Sequence, residues 1–283
     1  DAGRGEAGHV GGSEASAAGS RNADQLRWRA GVEIAGGRRA FGSDLEGVDD
    51  GVKPVRYALL QESLEPPGIE QLKRAFTAVR CLVDADAQGL ANDAYGILVR
   101  DLTAEDAGRL QGALRVEGVE TELLPMPALP QIPPTKFVRR IGFGPDALLI
   151  YDPIGRPVPI EWRHLRLIAA GRIPATRSAG RLESESELKL DLVLANGVAR
   201  FSLALDGVAP VLFRCLGARQ SAELIANYRL LIDELAAAAP KAMLNRGAWF
   251  MRQSPPTLFD YPSNNAFFEE IIWMLHRARK LEG

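Results

Sequence analysis

From residue 136 to residue 205 short apolar runs alternate with tight turns, and that pattern restricts the region to a strand-rich fold. Lys136 to Phe143 predicts one strand, and Gly144-Pro145-Asp146 turns the chain into a second, Ala147 to Asp152. Pro153-Ile154-Gly155-Arg156 leads to Pro157 through Trp162, and His164 to Ala169 follows. Leu188 to Leu194 and Val198 to Leu203 flank Asn196-Gly197, a pair whose readiness for positive φ marks a type I′ hairpin. The polar stretch between Arg172 and Glu187 predicts a loop. Ser221 then caps a helix carrying Leu224, Ile225, Tyr228, Leu231, Ile232 and Leu235 on one face, ended by Pro240.

Residues 53–124 carry a different rhythm. Val55 to Leu60 predicts a strand. Ile69, Leu72, Ala75, Phe76 and Val79 recur at helical spacing, and Asp84 to Asp93 predicts a second short helix. Tyr95 to Val99 is a strand. Thr103 caps a third helix with Glu105 and Asp106 in its dipole-favoured first turn, and Gly118 ends it before a last strand, Val119 to Leu124. The order β-α-α-β-α-β predicts a small sheet backed by helices.

From Gln88 on, Leu90, Ala94, Leu98, Thr103-Ala104-Glu105-Asp106-Ala107, Leu110, Ala113-Leu114, Gly118 and Glu120-Thr121-Glu122 match, without a gap, the pattern of the ribosomal stalk protein's C-terminal domain. Residues 71–123 therefore resemble that domain, whose fold is shared with the Clp protease adaptor. These are core and cap positions, so the resemblance implies fold and not function. The stalk's factor-binding Gly-Leu-Gly-Leu-Lys turn is replaced here by Arg80-Cys81-Leu82-Val83-Asp84, so binding of translation factors is not implied. Residues 136–240, strands closed by one amphipathic helix, resemble pleckstrin-homology-like and GRAM-like barrels in architecture. The expected fold class is thus α+β: a small β-α-α-β-α-β domain followed by a pleckstrin-homology-like β-barrel with C-terminal helices.

The remaining segments complete five expected regions. Residues 1–52 are rich in Gly, Ala, Ser and charge, and predict a disordered arm. The chain opens on Asp1 and not on Met, which fits a fragment or a frame extended too far upstream. Residues 125–135 hold five prolines between Pro125 and Pro134 and predict a stiff spacer. Residues 241–283 predict an aromatic loop and a final helix. Phe267, Phe268, Ile271, Ile272, Trp273, Met274 and Leu275 make that helix apolar on most sides, so it must be buried, either inside the chain or in a dimer seam.

Composition bounds the chemistry. A net charge of −2 gives no reason to expect nucleic acid, and no apolar run spans a membrane. Only six of the 34 basic residues are Lys, a bias typical of GC-rich coding and not of selected guanidinium contacts. Cys81 and Cys215 predict buried reduced thiols, and a reducing bacterial cytoplasm is the expected compartment. There is no phosphate-binding P-loop, H-E-x-x-H, G-x-S-x-G or C-x-x-C, and Gly142-Phe-Gly144 sits in a hairpin turn, so no cofactor is expected. His9, His164 and His276 lie too far apart to suggest a metal site.

Asp152, Glu161 and His164 form the best polar cluster for acid–base work, but solvated ion pairs at strand ends are the commoner outcome. Arg139, Arg140, Arg156, Arg163 and Arg166 are candidate ligands for phosphate or a lipid headgroup. Against that, the first hairpin loop, Gly142 to Asp146, lacks the Lys and Arg of lipid-binding pleckstrin-homology domains. Phe267, Phe268, Ile271, Trp273 and Met274 are candidate interface residues. The expected function is a non-enzymatic interaction or scaffolding protein with a protein partner. Binding of anionic lipid or a phosphorylated ligand is the first alternative, and an unrecognised hydrolase the second.

Overall fold

Leu59 and Leu60, adjacent in one strand, are both fully buried, so the sheet that holds them is covered on its two faces. That strand, β1 (Tyr57–Gln61), lies between β2 (Ile97–Leu102) and β3 (Thr121–Pro125), antiparallel to both. The structure, a computed structural model, describes residues 54–79, 82–174, 186–195, 199–203, 205 and 211–282. The expected arm, Cys81, His9 and the Asn196-Gly197 turn lie outside the described residues, as does most of the expected polar loop.

Helices α1 (Ile69–Phe76), α2 (Asp84–Asp93) and α3 (Ala104–Val116) cover one face of this first sheet, in the order β-α-α-β-α-β that the sequence predicts. Leu72, Phe76, Leu110 and Leu114 pack there against Leu59 and Leu98. The Thr103 hydroxyl caps α3 by accepting the Asp106 amide at 3.1 Å, and Gly118 closes it at φ +78°.

The strand-rich region divides differently from expectation. Residues 136–143 do not form one strand. The chain breaks at Arg139-Arg140 into β4 (Thr135–Val138) and β5 (Ile141–Phe143), which join different sheets. Val138 and Ile141 are both buried in the same core, and their spacing of three residues is incompatible with a period of two. The chain must therefore bend between them. A small antiparallel sheet runs β5-β6-β7, with β6 (Ala147–Tyr151) central and β7 (Pro157–Glu161) at one edge. A larger sheet runs β11-β8-β9-β10-β4, built from β8 (Leu165–Pro174), β9 (Ser186–Leu194), β10 (Arg200–Leu203) and β11 (Met243–Leu244). Among the described residues these are two separate hydrogen-bonded sheets and not one closed barrel.

One core nevertheless joins them. Ile141, Leu148 and Ile150 of the small sheet meet Ile168, Leu190, Leu192 and Phe201 of the large one. The helix α4 (Leu224–Ala238) closes this core with Tyr228, Leu231, Ile232 and Leu235. Its N-cap is Glu223, not the expected Ser221, whose amide is taken by the Asn227 side chain at 2.7 Å. The expected aromatic loop contains a further short helix, α5 (Arg246–Met251).

β8 is buried on both faces. Ile168 and Ala170 point to the α4 core, whereas Leu167, Ala169 and Ile173 point to the opposite side. A register irregularity between Leu165 and Leu167 lets Leu165 join the α4 core despite its odd position. The last helix, α6 (Asn264–Glu282), lies on that opposite side, and it also covers the outer face of the first sheet. The proline-rich stretch is packed and not a free spacer: Leu129 is buried with Ala58, Leu60, Ile97 and Ile272, and Ile132 lies against them. Residues 53–283 form one compact unit.

Candidate functional site

The five candidate arginines do not converge. Strand pairing places Tyr151 opposite Pro157 and Ala147 opposite Glu161, so Arg156 and Arg163 flank opposite ends of the small sheet. Four residues of strand separate those ends, about 13 Å at ~3.3 Å per residue. Arg156 pairs with Asp152 at 2.8 Å and Arg163 with Glu161 at 2.7 Å, so each local charge is matched. Arg140 lies over the Tyr151 ring at 4.0 Å. Arg139 is exposed at the break between β4 and β5. Arg166 points elsewhere, donating to the Ala278 carbonyl of α6 at 3.2 Å.

The acid–base cluster is not assembled either. The Asp152 carboxylate folds back on its own turn, accepting the amides of Ile154 at 3.0 Å and Arg156 at 2.9 Å. The Arg156 backbone and side-chain hydrogen bonds hold this carboxyl below its usual range. Glu161 sits at the far end of the sheet, and His164 is exposed on the following turn. Among the described residues no group of three or more His, Cys, Asp or Glu is placed to hold a metal. Cys215 is half-buried, and burial pushes its thiol up to about 11, so it stays protonated at neutral pH.

The candidate interface residues of α6 are turned inward. Phe267 and Ile271 are fully buried against β8 and β9, and Phe268 packs under the Arg200 guanidinium at 4.5 Å. Met274 flanks that cluster, and Trp273 packs against the first sheet.

The sequence gives little sign of a buried polar network around α5. Asn245 caps α5, accepting the Ala248 amide at 2.9 Å, and also exchanges hydrogen bonds with both backbone groups of Ala170. Its amide donates to the Tyr261 hydroxyl at 2.8 Å, and that hydroxyl donates to Glu270 at 2.7 Å. Glu270 is fully buried and accepts the Arg246 amide at 2.8 Å and its guanidinium at 3.1 Å. The Arg246 guanidinium lies 4.5 and 4.9 Å from the ring centres of Tyr95 and Phe259, which meet edge to face beside it. Burial and the Glu270 charge push the Tyr261 phenol well above its ordinary value, so it remains a donor. Every partner is satisfied within the chain, which makes this a structural clamp. The Asn245-x-x-Ala248 cap was the one local sign of it in the sequence.

One open surface, with a groove beside it, lies along α4. Leu224 and Ile225 are 42% and 39% exposed, and Trp249 of α5 is 51% exposed. A groove of about 470 Å³ runs between Ile225, Ala226 and Leu230 on α4 and Pro256 on the loop after α5. Its rim carries Asp233, paired with Arg252 at 3.1 Å and Arg229 at 3.7 Å. No helix among the described residues is long and apolar enough to cross a membrane. No family model, no curated protein and no solved structure matches this chain.

Proposed function

We propose that the chain is a non-enzymatic protein-interaction or scaffolding protein of the bacterial cytoplasm, built from a stalk-like α/β layer and a pleckstrin-homology-like module. The observation that carries this reading is the α4–α5 surface, where Leu224, Ile225 and Trp249 are exposed and Ile225 lines a groove with Ala226, Leu230 and Pro256. Exposed aliphatic and aromatic side chains over a fixed helix pair are typical of partner-binding surfaces. The fitting partner is a protein segment with an apolar anchor and charges matching the Arg229–Asp233–Arg252 rim. The pleckstrin-homology-like likeness is supported by one core beneath two sheets, closed by α4. The stalk-like likeness is supported by the β-α-α-β-α-β order of the first layer.

The test is affinity capture from bacterial lysate at physiological salt with residues 53–283, alongside Ile225→Glu and Trp249→Ala. Both substitutions fall on exposed side chains and should leave the fold intact. A stoichiometric protein captured by the wild type and lost with both variants is the expected result. Capture of nothing, together with co-sedimentation on anionic vesicles that fades with salt, would replace this reading with the lipid one.

A further inference from the structure

α6 is bound to its two neighbours by different chemistry. At 100° per residue, Glu269, Trp273, His276, Arg277 and Lys280 fall within about 100° of one another, and Phe267, Ile271, Met274 and Ala278 fall opposite. Phe267, Ile271 and Met274 of the second set lie in an apolar layer with Leu167, Ala169, Ile173 and Val193 of the large sheet. The first set reaches the first sheet mostly through polar groups. Glu269 pairs with Arg100 at 2.6 Å. Trp273 and Arg277 both donate to the Gln61 carbonyl, at 2.6 and 2.7 Å. Glu122 of β3 faces two cations, Lys280 at 3.0 Å and Arg277 at 3.2 Å, and the His276 imidazole at 3.2 Å.

The docked contact also carries a cost. The Thr121 hydroxyl and the Arg277 Nε, next to and within the Glu122 cluster, are buried without a hydrogen-bond partner. The apolar part of the contact sets Ala58, Leu60 and Ile97 against Ile272, Trp273 and Leu129, and Tyr95 packs beside Phe259 and Tyr261 next to the Arg246 guanidinium. Interfaces of this polar kind within one chain are the ones that open, and their partly exposed charges are screened by salt.

We propose that the first layer, residues 57–125, undocks from α6 as a body, with α1, α2 and α3 still packed on its sheet, and that the ion pairs at Glu122 and Glu269 set how often it does so. Opening uncovers the outer face of the sheet at Ala58, Leu60 and Ile97, while the inner face at Leu59 and Leu98 stays covered. The device does not depend on the α4–α5 surface.

Two fully buried alanines read the two faces separately. Ala58 lies under α6, and Ala107 lies between α3 and the sheet. In a chain with Cys81→Ala and Cys215→Ala, Ala58→Cys and Ala107→Cys are exposed in turn to a thiol reagent under native conditions. Ala58→Cys should label about tenfold faster or more, because local opening costs less than global unfolding. The gap should widen in 0.5 M NaCl and with Glu122→Gln or Glu269→Gln, through faster labelling at position 58 alone. Equal labelling of the two positions, or a gap that ignores both salt and these variants, would overturn the proposal.

Discussion

Gly247 passes so close to Ala170 that a Cβ on the glycine would lie 1.8 Å from the Ala170 carbonyl oxygen. The approach is backbone on backbone, so no side chain can rotate away to make room. It seats the first turn of α5 against β8, where Asn245 completes the join through both Ala170 backbone groups. Gly247→Ala should destabilise by about 3 kcal/mol or more, since a rigid overlap of this kind forces the backbone apart. Urea unfolding monitored by circular dichroism measures it, and a loss under 1 kcal/mol would show that α5 can lift off freely.

Tyr261 and Glu270 should be strongly coupled. Tyr261→Phe leaves the Asn245 amide and one Glu270 oxygen short of a partner, at a cost of about 1–3 kcal/mol. Glu270→Ala removes the carboxylate partner of the Arg246 guanidinium and leaves it against the Tyr95 and Phe259 rings, for about 3–5 kcal/mol. A double-mutant cycle should give a coupling above about 0.5 kcal/mol. Simple additivity would mean that the hydroxyl–carboxylate bond contributes nothing.

The Glu122 contribution should disappear in acid. Burial pushes this carboxyl up, but the hydrogen bonds from Lys280 and His276, with their charges, outweigh it and hold the group below its ordinary value. A folded value below the unfolded one, about 4.3, means that its stabilisation is present above the unfolded value and lost as pH falls through the folded one. The stability difference between wild type and Glu122→Gln should therefore shrink as pH is lowered from about 5.5 towards 3. A difference constant over that range would show that the carboxylate's charge is irrelevant to the contact.

Removing residues 262–283 should be far more damaging than the length of the segment suggests. It uncovers Leu167, Ala169 and Ile173 on one side and Ala58, Leu60 and Ile97 on the other. Phe267→Ala alone should cost about 3–5 kcal/mol, as for other fully buried phenylalanines. The truncated chain should bind a hydrophobic dye and melt at a much lower temperature. If it keeps its melting temperature and only changes from dimer to monomer, α6 is an oligomerisation element instead.

What the residues dictate locally is legible in the chain. The Thr103 cap, the Gly118 stop and the 3.6-residue spacing of Leu72, Ala75, Phe76 and Val79 define the first layer, because caps and amphipathic faces act within one or two turns. The excess of apolar positions on α6 likewise requires that it be buried. Which surfaces bury it is decided only by the fold, since two sheets built from separate parts of the chain meet on its opposite faces. The same limit applies to the sites. Arg156 and Arg163 look like neighbours in the chain, but strand register sends them to opposite ends of a sheet. Asn245, Tyr261 and Glu270 look unrelated, and packing brings them into one hydrogen-bonded chain. Local propensity acts along the backbone, whereas register and layer packing act across it, and the positions of functional groups follow from the second.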